Sequence, residues 1–320
     1  MSTSVLLTGG MGYVGGRIAQ ALAGQPNLTL RLSSRTPPVL RPDWLAHGEM
    51  VAMDLFNEES LQHACHGMDC IVHLAALNEI DSAQDPVQAL KVNTQGTLRL
   101  LQAAKKNEVK RFIYFSTAHL YGAPLAGDID ETTLPRPVHP YAITHRSAED
   151  FVLAAYDSGA LTGLVVRLSN GLGAPAHAEV NRWTLIGNDL CRQAVQTGAL
   201  QLRSSGLQWR DFVALSDVAA AVLHFLHLPE SQCGNGIFNL GGAKAMRVID
   251  LAHLIAQRCG VVLGFVPPVT HPQPLVGELN PPLNYRIDKL LSTGFKLQGS
   301  LEEEIDATLA LCQRNFGKPR

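Results

Sequence analysis

Charge is scarce in this chain. Asp, Glu, Lys and Arg make up 17% of its 320 residues, and the formal net charge is -2 at neutral pH. No basic run is longer than the Lys105–Lys106 pair, so there is no electrostatic footprint for nucleic acid or an anionic membrane surface. Cysteine is scarce as well. Six irregularly spaced residues are too few for a disulfide framework, and the expectation is reduced thiols in a cytoplasmic protein. No apolar stretch reaches the roughly 18 residues of a membrane span; those around Ala219–Leu228 and Val261–Val266 are cut by His, Gly or Pro. The opening Met1–Leu7 is too short for a secretory leader before a glycine turn begins. Repeats, low-complexity segments and Ser/Gly linkers are missing. His63, Cys65, His66 and Cys70 crowd together, but helical patterning around the first three and strand patterning at the fourth point them apart. No metal site is expected.

What the chain does have is a 46% apolar fraction and a regular alternation. Strand-like runs at Val5–Leu7, Leu28–Leu32, Val51–Met53, Ile71–Ala75, Arg111–Phe115 and Gly163–Leu168 are separated by helical patterns. Those patterns cover Gly15–Ala23, Glu58–Gly67, Val87–Asn107 and Tyr141–Tyr156. Short runs apolar on both faces and joined by helices imply an α/β fold, a Rossmann-type doubly wound parallel sheet. The expected division is a dinucleotide-binding domain over 1–167, with about 211–242 returning to it, and a smaller α/β substrate lobe over 168–320.

The first strand runs into Thr8-Gly9-Gly10-Met11-Gly12-Tyr13-Val14-Gly15 and then a helix. Gly9 permits the sharp turn, Gly12 lets backbone approach a pyrophosphate, and Gly15 lets helix and strand pack closely. Further along come Val72–Ala76, Val92–Thr97, Phe115–Ala118, Tyr121-Gly122, Tyr141, Arg167–Asn170 and Arg210–Val213. In order and spacing, these resemble the extended short-chain dehydrogenase/reductase superfamily, the NAD(P)-dependent epimerase/dehydratase group.

The resemblance implies a nicotinamide cofactor held by Gly9, Gly12, Tyr13, Val14, Ser33, Ser34, Arg35, Asp54, Leu55, Leu74, Ala75, Ala76, Asn93, Tyr141, His145 and Leu168. Where NAD-preferring members place an Asp, this chain has Ser33, followed by Arg35. Losing a carboxylate and gaining a guanidinium suits a 2′-phosphate, so NADP is expected, with NAD possible. Thr117 is implied as the hydroxyl that holds the substrate oxygen, and Tyr141 as general acid/base. The family's lysine four residues on is here His145. Three readings stay open: His145 substitutes with an altered pH dependence, Arg146 or a substrate phosphate supplies the charge, or redox activity has decayed. The acidic pair of the 4,6-dehydratases is replaced by Ala118 and His119, so dehydration is not expected. His119, Asn170 and Arg210 are the implied substrate contacts, Arg210 for a diphosphate unless Asp211 or Asp217 pairs with it.

The expectation is an epimerase or ketoreductase acting on a nucleotide-activated sugar or a related hydroxyl or keto compound. The other class is a cofactor-binding regulatory protein that lost turnover with the lysine. A homodimer is expected through the Val87–Asn107 and Tyr141–Tyr156 helices.

Overall fold

The computed structural model describes residues 2–37, 42–45 and 48–317. Seven strands form one sheet, every neighbouring pair parallel. They are β1 (Thr3–Thr8), β2 (Leu28–Ser34), β3 (Glu49–Ala52), β4 (Cys70–His73), β5 (Arg111–Thr117), β7 (Thr162–Leu168) and β11 (Ile237–Leu240), in the order β11-β7-β5-β4-β1-β2-β3. Three small sheets accompany it. β8 (Asn170–Leu172), β10 (Trp209–Ala214) and β12 (Ala245–Arg247) form one; β9 (Leu200–Gln201) pairs with β13 (Val269–Thr270), and β6 (Gly127–Ile129) with β14 (Leu283–Tyr285).

Alternation along each strand sorts side chains to two faces. Val5, Leu7, Val72, Ile113 and Val166 point one way, into a core closed by helices α1 (Tyr13–Ala23) and α8 (Leu215–His227). Leu6, Ile71, Phe112, Tyr114 and Val165 point the other way. That second core is closed by α2 (Glu58–Cys65), α5 (Thr97–Lys106) and α6 (Pro140–Asp157). A separate core joins α7 (Ile186–Thr197), α9 (Val248–Val262) and α11 (Leu301–Phe316). A short α10 (Asp288–Ser292) lies between the last two.

The helix expected over Val87–Asn107 is not one regular helix. It is α4 (Pro86–Ala89), a π-helical segment (Leu90–Gly96) and α5, preceded by α3 (Glu79–Gln84). A π turn carries about one extra residue and shifts the helical phase by about 100°. Val87 and Leu90 are exposed, at 77% and 53%, while Asn93 and Thr94 are buried. In the metal question, His63 and Cys65 lie on α2, His66 just beyond it and Cys70 on β4. Among the described residues no group of three or more His, Cys, Asp or Glu is placed to hold a metal ion, and no helix is long and apolar enough to cross a membrane.

Candidate active site

The strand order reverses between β1 and β4, which opens a crevice at their carboxyl ends. The glycine turn sits there. Gly9 has φ +71°, and a Cβ on it would lie 3.0 Å from Leu74 C and Ala75 N. A Cβ on Gly15 would lie 2.1 Å from the Gly9 carbonyl, so α1 could not start this close to β1 with any larger residue. Gly12 caps α1 without a side-chain bond, leaving first-turn amides and the positive helix end for a phosphate. Tyr13 follows Gly12 and lines the same cavity as Tyr141. Its hydroxyl donates toward the Gly173 carbonyl at 2.9 Å and Asn188 Oδ1 at 3.3 Å. Only its backbone is left to the turn.

Thr8 links the two strands at this point. Its Oγ1 accepts from Leu74 and Ala75 N–H at 3.2 and 3.1 Å, fixing the small-residue segment that ends at Ala76. At the end of β2, Ser33 is buried and Ser34 donates to the Thr36 carbonyl. Arg35 is exposed and has no ion pair among the described residues. Asp54 Oδ1 accepts from Phe56 N–H at 2.8 Å, which shapes the turn holding buried Leu55. Asn93 is fully buried and ties two elements: Oδ1 accepts from Leu77 N–H at 2.7 Å, and Nδ2 donates to Thr144 Oγ1 at 3.1 Å. It therefore anchors the segment after β4 to α6.

The start of α6 is set locally. Pro140 occupies its first turn, and His139 Nδ1 accepts from Tyr141 N–H at 3.2 Å. Tyr141 thus lines a cavity of about 450 Å³. That cavity also takes in Val14, Thr117, His119, Leu168, Asn170 and Arg210. Sequence positions spread over almost two hundred residues converge here. Thr117 Oγ1 accepts from His119 N–H at 3.2 Å, which leaves its proton for a ligand oxygen. Asn170 Nδ2 donates to the Asp211 carbonyl at 2.8 Å, orienting that amide from β10.

The competing ion pair for Arg210 does not form. Asp211 Oδ1 is taken by Ser169 Oγ and Gly242 N–H, and Asp217 by the N–H groups of Gln298 and Gly299. Burial lowers the Arg210 pKa, as expected of a cation held out of water without a carboxylate. Arg146 is no spare cation either, since it pairs with Glu149 and Asp150.

His145 is 3% exposed, its ring edge-on to Tyr141 with centroids 4.4 Å apart. Burial pulls its pKa down to about 4, so it is neutral at physiological pH. Burial raises Tyr141 to about 12, with Glu79 adding to the rise and Arg182 opposing it. Burial also lowers His119, with Arg210 and His139 acting in the same direction. Glu79 and Arg182 pair at 2.9 Å and line the cavity; they lie 103 positions apart, and no sequence signal joins them. Tyr114, hydrogen-bonded to His145, was also missed, although strand alternation places it on the α6 side.

Two buried polar atoms beside Tyr141 and Thr117, His145 Nε2 and Ser116 Oγ, have no partner among the described residues. The glycine turn and the open first-turn amides of α1 fit the phosphates of a dinucleotide cofactor.

A family model described as NAD dependent epimerase/dehydratase family matches residues 5–241. The chain is 26% identical to a UDP-glucose 4-epimerase of Azospirillum brasilense over 276 residues, 81% of this chain and 78% of that one. It is 28% identical to a GDP-6-deoxy-D-mannose reductase of Pseudomonas aeruginosa, over 83% of each chain. In fold it is similar to a UDP-glucuronic acid 4-epimerase from Bacillus cereus in complex with UDP-glucuronic acid and NAD, with TM-score 0.81 at 20% identity, over 98% of this chain and 100% of that one. It is similar also to a Pseudomonas aeruginosa protein complexed with NADPH, with TM-score 0.78 at 22% identity, over 98% and 99% of the two chains. The chain belongs to the NAD dependent epimerase/dehydratase family.

Proposed function

We propose that the protein is an NAD(P)-dependent epimerase or ketoreductase acting on a nucleotide-activated sugar. The observation that carries this is that Thr117, Tyr141, Asn170 and an Arg210 with no ion pair among the described residues meet in one cavity. The nicotinamide cofactor, when bound, accepts or donates hydride at a carbinol carbon. Thr117 holds the reacting oxygen by hydrogen bond, and Tyr141 takes or returns its proton. Arg210, with a planar fork suited to phosphate oxygens, and Asn170 hold the diphosphate. The relatives support the substrate class, since those matched over most of their length are named for UDP-, GDP- and dTDP-sugars. Ala118 and His119, in place of an acidic pair, speak against elimination of water.

Thermal denaturation against NAD, NADP and a panel of nucleotide sugars tests the reading, because a ligand raises the midpoint only if the native state binds it. Arg210→Met should weaken the bound nucleotide sugar by about 1.5–3 kcal/mol, the range for hydrogen bonds to charged groups, and spare the cofactor. If no nucleotide sugar stabilises the protein, the proposal fails.

Of the two cofactors we favour NADP, on the uncharged Ser33 and the exposed Arg35 at the end of β2. Arg35→Ala should cost NADP about 1.5–3 kcal/mol of binding and leave NAD nearly unchanged, read by calorimetry. Equal losses for both would remove the argument. A homodimer is supported by Val87, Leu90, Ile143 and Phe151, all exposed along the π-bearing helix and α6.

A further inference from the structure

The charges that line the cavity are unevenly matched. Two guanidiniums, Arg182 and Arg210, face one carboxylate, Glu79. Arg182 Nη2 donates to Glu79 Oε2 at 2.9 Å, both side chains being half-buried. Arg210 pairs with no carboxylate among the described residues, since Asp211 and Asp217 are engaged elsewhere. The two histidines of the lining add no cation. Burial holds His119 below its ordinary pKa, and His139 accepts from Tyr141 N–H through Nδ1, which an imidazolium cannot do. One uncompensated positive charge remains in the lining, and it is Arg210.

Glu79 and Arg182 are each placed by their own backbone. Glu79 opens α3 directly after the capping Asn78, whose Oδ1 accepts from Ile80 and Asp81 N–H, both at 2.9 Å. The Arg182 carbonyl accepts from Asn188 Nδ2 at 3.1 Å and from Leu185 N–H at 3.3 Å. The pair thus bridges α3 to the segment ahead of α7 along the cavity wall. It belongs to the Tyr141 end, because Glu79 and Arg182 are the two charges that act on the Tyr141 hydroxyl, and Arg210 is not among them. His119 is acted on by both Glu79 and Arg210, and so lies between the two ends.

A sugar held by its diphosphate at Arg210 and Asn170, with its reacting carbon at Tyr141 and Thr117, brings the groups on its neighbouring ring carbons up to this pair. A hydroxyl there can donate to Glu79 or accept from Arg182 while the pair stays intact. A carboxylate there meets a like charge and finds Arg182 already engaged. We propose that Glu79 is a specificity-determining residue: by holding Arg182 beside Tyr141, it admits nucleotide sugars with uncharged ring substituents and turns away nucleotide uronic acids. The inference rests on the functional reading above for the nucleotide sugar, but not for the choice between neutral and acidic sugars.

The test is calorimetry on the protein saturated with NAD or NADP, using matched pairs of UDP-, GDP- and dTDP-sugars. The members of a pair differ only in carrying a hydroxymethyl group or a carboxylate, as UDP-glucose and UDP-glucuronate do. The neutral member should bind at least about tenfold more tightly. Glu79→Gln keeps the size, removes the charge and releases Arg182. The acidic member should then gain about tenfold, so that the preference vanishes or inverts. Adding Arg182→Gln should withdraw that gain, which a mere widening of the cavity would not. Equal affinities, or a preference for the acidic member, in the unmodified protein overturn the proposal without any variant having to fold. An unchanged preference in Glu79→Gln overturns it equally, as does a gain that survives the loss of Arg182. If no member of any pair binds, it is the functional reading that fails, and the inference falls with it.

Discussion

Tyr141→Phe is expected to slow turnover by about 10²- to 10⁴-fold, the usual contribution of a positioned acid/base, with the cofactor still bound. The change removes one oxygen and little volume. The backbone of Tyr141 is held by His139, and its ring rests against His145, so the phenylalanine ring should keep its place. The pH dependence follows from the same surroundings. Burial raises Tyr141 to about 12, and Glu79 pushes it the same way. His145, pulled to about 4, offers no positive charge to bring it back. A base with a raised pKa is scarce at neutral pH and becomes more abundant as pH rises. The rate of an oxidative half-reaction should therefore climb through pH 8 and 9, about tenfold per unit where this deprotonation limits it. His145→Lys should move that limb to lower pH. Near-normal activity in the phenylalanine variant, or a rate that falls just above neutrality, would remove Tyr141 from the role.

Glu149→Leu is expected to destabilise the fold by about 3–5 kcal/mol, the range for leaving one member of a buried pair alone. Arg167 is 1% exposed. Its Nε and Nη2 donate to the two Glu149 carboxylate oxygens at 3.2 and 2.8 Å, and its Nη1 to the Tyr121 hydroxyl at 2.8 Å. Tyr121 passes its own proton to Asn239 Oδ1, and the Tyr285 hydroxyl donates to the Arg167 carbonyl. The Arg167 guanidinium therefore ties β7 to α6 directly and to β11 by way of Tyr121, while its carbonyl receives Tyr285 of β14. Without Glu149 it cannot shed its charge, as a carboxylic acid could, and it stays buried and positive. Glu149→Leu combined with Arg167→Met should recover most of the loss, since an apolar pair of similar volume needs no desolvation. Urea denaturation of the two single variants and the double would show it. A double variant no more stable than Glu149→Leu would mean that the cost lies in packing rather than charge.

The residues legible in the sequence are those whose role is set by near neighbours. The glycine turn depends on a strand and helix within a dozen positions, and Thr117 and Tyr141 stand at element ends marked by their own surroundings. What the sequence conceals depends on distant partners. Arg210 is free because Ser169 and Gly242 draw Asp211 away, and His145 is neutral because β5 covers it. The Tyr13 hydroxyl is fixed by a carbonyl 160 positions later. The regular helix over Val87–Asn107 was a misreading of a different kind. Its apolar spacing was real, but the demand to bury Asn93, Thr94 and Thr97 against β4 and α6 outweighed it.

That wide turn also gives the helix an unusual tolerance of length. In a regular helix, losing one residue rotates everything beyond it by about 100° and ruins one face. Here a one-residue deletion within Leu90–Gly96 would return the backbone to ordinary helical pitch. The loss would fall on alignment instead: Val87 and Leu90 would swing back under the stripe that α5 buries. Asn93 would no longer meet Leu77 and Thr144 at once. A single codon's difference could thus exchange an outward apolar ridge for a smooth cylinder, and loosen the tie between α6 and the end of β4 without removing any of the atoms that make it.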